Sequence, residues 1–234
     1  MEIGRLSKAD VGRLRDALAG QPLDNYELLW VLDGCLTSPG GSVVGVGSFP
    51  WPAGILVRQR DCFWLRLHNE TFFEELFKAF PRPDVYRIYT TDDHSLEMVQ
   101  RWLPGGDTRH SVLAVRNVTK TWRKRFEVTP RKLSPINGAD QYRYVLETDN
   151  GKKIASVTVC NLVEDFQEIS EHKFHVEGQH SYWWEEVAGA MVSHFMEKEQ
   201  PVVMRLADEA MLHLLEPLGF RQFSPLHYYV GMME

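Results

Sequence analysis

Three histidines, His172, His175 and His180, fall within nine consecutive positions, and imidazole is the commonest side-chain ligand for a metal ion. The segment around them reads as a strand. On a strand, residues three apart point to opposite faces, so His172 and His175 cannot converge on one ion. The expectation is surface or hydrogen-bonded histidine and no metal site. His213, between Leu212 and Leu214 in a helical pattern, reads as the rim of a core. Cys35, Cys62 and Cys160 are the three cysteines, too few and too scattered for a disulfide framework. They read as small buried apolar residues in a reducing compartment, which suggests a cytoplasmic protein. The sequence contains neither a nucleophile elbow of the form Gly-x-Ser-x-Gly nor a phosphate loop of the form Gly-x-x-x-x-Gly-Lys. Two aromatic clusters, Phe49-Pro50-Trp51-Pro52 and Tyr182-Trp183-Trp184, read as core or domain interface, or as a ligand or partner surface where exposed.

These residues sit in a chain of 234 residues that is 44% hydrophobic and 25% charged. That composition is ordinary for a globular protein and excludes a mainly disordered chain, a collagen and a coiled coil. The length suits one large or two small domains. A net charge of −6 argues against a surface built to grip nucleic acid. The basic residues gather at Arg116, Lys120, Arg123, Lys124, Arg125, Arg131 and Lys132, with Pro130 and Pro135 among them. This reads as a linker or basic edge segment over 119–140, between one half at 1–118 and another at 141–234; a phosphate or nucleic-acid contact is the less favoured reading. Residues 34–57 carry no charge and are long enough to span a bilayer, but they hold six glycines and three prolines and read as loop and strand. The first residues lack the apolar run of a signal segment, so no membrane association is expected. Nothing in the sequence sets an oligomeric state.

The elements that must position any site follow from periodicity and punctuation. Ser7-Lys8-Ala9-Asp10 reads as a capping box, with Asp in place of Glu, opening a helix on Val11, Leu14 and Leu18. A second helix spans about 25–33, stopped at Gly34. Strands are expected over 42–49, 54–58 and 62–68, then a helix over 70–80 on Phe72, Phe73, Leu76, Phe77 and Phe80. A strand over 84–90, a helix over 94–102 and a strand over 109–115 follow. In the second half, Asp149-Asn150-Gly151 marks a hairpin turn between strands at 142–147 and 152–159. Next come a strand over 168–176, a helix over 181–198, a strand over 201–206, a helix from Asp208 to Leu215 and a closing strand over 226–230.

The order hairpin, strand, helix, strand, helix, strand resembles the C-terminal part of the GCN5-related N-acetyltransferase superfamily. Tyr144 to Val159 resembles its central hairpin, Phe174 to Lys198 its cofactor strand, turn and helix, and Pro201 to Phe223 its next strand and helix, ending on Leu218-Gly219-Phe220. Asp84 to Gly106 parallels Pro201 to Gly219: strand, acidic cap, short helix, Leu then Gly. The resemblance implies an α+β fold, with a mixed sheet flanked by helices in each of two halves in tandem, as in relatives of glycine N-acyltransferase. The alternative is a single larger domain with an N-terminal extension.

The resemblance further implies an acyl-CoA-dependent N-acyltransferase, with acetyl-CoA or another acyl-CoA as donor and a small amine as acceptor. Splayed strands would admit the pantetheine arm, and amides at a helix start would hold the pyrophosphate. That places Val176, Gly178, Gln179, His180 and Ser181 at the cofactor. It puts Glu168 or Glu171, on the cofactor strand, in the role of general base acting through water. Tyr228, Tyr229 or Tyr182 would protonate the departing thiolate, because Leu215 occupies the family's tyrosine position. Gly178 is the lone glycine of the turn, with Tyr182, Trp184, Glu185 and Glu186 following it. These departures favour a second reading, a ligand-binding or protein-interaction module that keeps the fold without the transfer chemistry.

Overall fold

The computed structural model describes residues 3–37, 40–47, 52–80, 83–116, 128–135, 141–160, 163, 166–175, 181–196 and 201–232. They form two compact units, the first of residues 1–111 with 224–234, the second of residues 112–223. This division differs from the one the sequence suggests. Residues 119–140 fall inside the second unit, and the last eleven residues belong to the first, because strand pairing disregards chain order.

In the first unit β1 (Ile3–Arg5) leads to α1 (Lys8–Leu18) and α2 (Tyr26–Thr37). Ser7 caps α1 as expected: the Asp10 N–H donates to Ser7 Oγ at 3.2 Å, and the Ser7 N–H donates back to Asp10 Oδ2 at 3.3 Å. Gly34 does not stop α2, which runs three residues further. Strands β2 (Gly41–Val46), β3 (Gly54–Gln59) and β4 (Cys62–Leu67) form an antiparallel meander, and β4 then pairs in parallel with β5 (Tyr86–Thr90). A parallel pair needs a crossover, supplied here by a 3-10 turn (Glu70–Phe72) and α3 (Phe73–Lys78). After β5 come α4 (Asp93–Trp102) and β6 (Asp107–Arg116). Phe63, Leu65 and Leu67 of β4 face α3 and α4 and join Phe73, Phe77, Phe80 and Tyr86 in one core. The order in this unit is β1-β2-β3-β4-β5, closed by β12 (Phe220–Gly231), whose residues 227–231 pair antiparallel with β5.

The second unit repeats this plan. Strands β7 (Val128–Pro135), β8 (Gln141–Thr148), β9 (Lys153–Cys160) and β10 (Gln167–Phe174) pair antiparallel in sequence. The turn between β8 and β9 carries Gly151 at φ 78°, a conformation that suits glycine. Helix α5 (Ser181–Met196) crosses to β11 (Val202–Leu206), which runs parallel to β10. Helix α6 (Glu209–Leu215) follows, capped by Asp208 as expected. Here β6 closes the unit, pairing antiparallel with β11. Val187, Met191 and Phe195 of α5 and Leu212 and Leu215 of α6 pack on Val157, Val159, Ile169 and Met204. The expected strand at 226–230 is the end of a longer one that starts at Phe220. No helix among the described residues is long and apolar enough to cross a membrane.

Candidate active site

In the second unit, β10 and β11 keep register over three residues only: Gln167 with Val202, Glu168 with Val203 and Ile169 with Met204. On its other edge, against β9, β10 shifts register between Ile169 and Glu171. Ser170 is the extra residue. Its hydroxyl donates to the Thr158 carbonyl at 3.4 Å and lies 3.3 Å from Cys160 Sγ. A bulge bends its strand and increases the local twist. It falls where β10 parts from β11, so past Ile169 the β11 side of β10 has no partner in that strand's register.

Glu168 sits just before this point and is 1% exposed. Its Oε1 lies 3.5 Å from Nε of Arg205, a β11 residue. A carboxylate removed from water must be compensated, and the guanidinium does this while remaining partly in solvent. Arg205 has no place in the sequence reading, although its signal is there: it is the one charged residue in Val202-Val203-Met204-Arg205-Leu206. Glu171 stands opposite Thr158 on β9, and its side chain lies outside the described residues. So do Val176, Gly178, Gln179 and His180. Ser181 is the first residue of α5, again without a described side chain. The aromatic cluster Tyr182 to Trp184 and residues 49–51 of the other cluster share that limit. His175 is exposed, with Nε2 2.7 Å from Ser156 Oγ. Among the described residues no group of three or more His, Cys, Asp or Glu is placed to hold a metal.

Tyr228 lies in the first unit, and Glu168 lies in the second. Tyr228 faces Tyr89 across β12 and β5, and the rings stack 4.7 Å apart at 26°. Tyr89 stacks in turn on Trp64 at 5.0 Å, and Trp30 meets Trp64 edge-on at 5.6 Å. Leu215, where the resemblance puts a tyrosine, is fully buried in the core of the second unit.

The first unit has the counterpart of the cleft. Its β4 and β5 also keep three parallel pairs, ending at Trp64 and Tyr89. There the opening is filled: the Leu67 N–H donates to Ser95 Oγ at 3.0 Å, and Ser95 is 0% exposed. A groove of about 420 Å³ lies beside α3 and α4, lined among others by Glu70, Glu74, Glu75, Arg101 and Trp102. Three carboxylates against one guanidinium oppose a polyphosphate.

No family model matches the sequence, and no curated protein matches it. Solved structures do match over nearly the whole chain. A GNAT-family acetyltransferase from Colwellia psychrerythraea superposes with a TM-score of 0.61 at 10% identity, covering 99% of this chain and 100% of its own. A GCN5-related N-acetyltransferase from Sphaerobacter thermophilus gives 0.62 at 9% identity, covering 99% and 95%. A tandem GNAT protein from the clavulanic acid biosynthesis pathway gives 0.57 at 12% identity, covering 99% and 98%. Identities this low speak for architecture alone: the chain has the fold of the GCN5-related N-acetyltransferases.

Proposed function

We propose that the protein is an acyl-CoA-dependent N-acyltransferase acting on a small amine, with its donor held by the second unit. The observation that carries this reading is the parting of β10 from β11 after Ile169 at the Ser170 bulge. A strand edge released from its neighbour can bind the amide-bearing arm of an acyl-CoA, and the N-terminus of the sixteen-residue α5 favours an anion. The first unit's filled opening and acidic groove leave the second as the better fit. Acyl-CoA would supply the activated thioester. Backbone amides near Val176 to Gly178 would hold the thioester carbonyl as charge develops there. Glu168 or Glu171 would take the proton lost by the amine as its nitrogen bonds to carbon and the thiolate leaves. Arg205, 3.5 Å from Glu168, would hold that side chain in place.

A second reading is supported by the burial of Leu215 and the pairing of Glu168 with Arg205: a GNAT-fold binding module without transfer chemistry. Titration calorimetry with acetyl-CoA and longer acyl-CoA thioesters separates the two. Saturable binding at one site per chain, followed by transfer to an amine that falls in Glu168→Gln or Glu171→Gln, supports the enzyme. Absence of heat with every thioester overturns it in favour of the module.

A further inference from the structure

His227 of β12 is 5% exposed and belongs to the first unit, as do the groups around it. Its Nδ1 lies 2.8 Å from Nδ1 of His110 on β6, with the rings nearly perpendicular. Its Nε2 lies 3.0 Å from Asp93 Oδ1 at the start of α4, a close but poorly aligned approach. Asp93 is largely in solvent, and His110 is exposed. On the β5 side the register partner is Thr90, whose hydroxyl donates to Asp92 at 3.1 Å. The ionisable groups facing His227 are therefore His110 from β6 and Asp92 and Asp93 from α4. Two imidazole nitrogens at this distance share one hydrogen, one ring donating and the other accepting.

We propose that His110, His227 and Asp93 form an acid-sensitive latch that ties residues 224–231 of β12, the strand paired with β5, to β6 and to the start of α4. Asp93 draws the hydrogen of neutral His227 to Nε2, and His227 Nδ1 then accepts from the His110 Nδ1–H. A proton on His227 Nδ1 sets two N–H donors face to face, and the bond fails. Burial, the largest cause, holds the His227 pKa below the ordinary 6.5, with His110 acting the same way and Asp93 opposing. The sign follows. The unfolded chain takes up this proton near 6.5, whereas the latched state resists it, so the contribution is complete above 6.5 and is lost as pH falls through the lowered folded value. The latch is independent of acyl transfer.

Hydrogen exchange of the full chain, corrected for intrinsic rates and followed by mass spectrometry from about pH 7 to about pH 5, tests it. We expect peptides covering 224–231 and 86–90 to lose protection by about tenfold per pH unit as pH falls below 6.5, levelling off once the latched His227 itself charges, while β9 peptides keep theirs. In His227→Gln the side-chain amide can accept from His110 and donate to Asp93 but cannot titrate, and the acid loosening should disappear. His110→Asn removes one cause of the lowered pKa, brings the folded His227 value nearer 6.5 and should shrink the acid loosening. Uniform loss of protection across the chain in the wild-type protein, unchanged protection of 224–231, or a wild-type profile in His227→Gln would each overturn the proposal.

Discussion

At the scale of single residues, the second unit's cleft is defined by a charge pair and a bulge. Glu168 and Arg205 stand 3.5 Å apart with the carboxylate almost wholly buried. Removing the guanidinium is therefore expected to cost more than removing both charges. In urea denaturation, Arg205→Met should destabilise by about 2 kcal/mol, and the double variant with Glu168→Gln by less. Additive single-variant effects would refute the coupling. Cys35 offers a second check. Burial pushes its thiol up to about 11 from 9.0, so the folded state keeps the proton that the unfolded chain gives up. The stability this confers is present below pH 9 and lost as pH rises from 9 to about 11. At about pH 8, iodoacetamide should label half-buried Cys62 before buried Cys35 in the native protein, as peptide mass mapping would show.

At the scale of elements, the two units repeat one local device. Asp92 caps α4, accepting from the Ser95 N–H at 2.6 Å, and Asp208 caps α6, accepting from the Met211 N–H at 2.9 Å. Gly105 and Gly219 follow these helices with φ of 85° and 88°. This parallel is legible in sequence because caps and left-handed stops are written in single residue types. Its tertiary anchor is not: Tyr229 of β12 reaches the chain after α4, where its hydroxyl accepts from the Gly106 N–H at 3.0 Å and donates to the Leu103 carbonyl. Tyr229→Phe strands both backbone groups and should cost about 1–3 kcal/mol. Tyr228→Phe, in the adjacent stack, should stay within about 0.5 kcal/mol. Equal midpoints for the two variants in a denaturant titration would contradict this assignment.

For the whole molecule, the exchange of closing strands decides what can be separated. Residues 1–118 lack the β12 segment that pairs with β5, so this fragment bares the β5 edge over Tyr86 to Thr90. An unpaired edge is an aggregation template. The fragment alone should elute as aggregate or show no cooperative unfolding, whereas the full chain should run as a folded species on size exclusion. A monomeric, cooperatively folding 1–118 would overturn this. Glu168 and Tyr228 fall in different units although both stand in the second half of the chain.

The sequence by itself determined most of the elements and their order: the Ser7 box, the Asp208 cap, the hairpin turn at Gly151 and the apolar stripe of residues 70–80. These are local, because a cap or a pleat depends on residues a few positions apart. It also carried the acetyltransferase-like order of the second half. Only the tertiary structure decided which strand closes which unit, where the Ser170 bulge falls, that Arg205 meets Glu168, that Ser95 fills the first cleft, and that His110 meets His227. Each of these joins residues distant in the chain, and long-range pairing is set by how sheets bury their faces rather than by any short run of sequence.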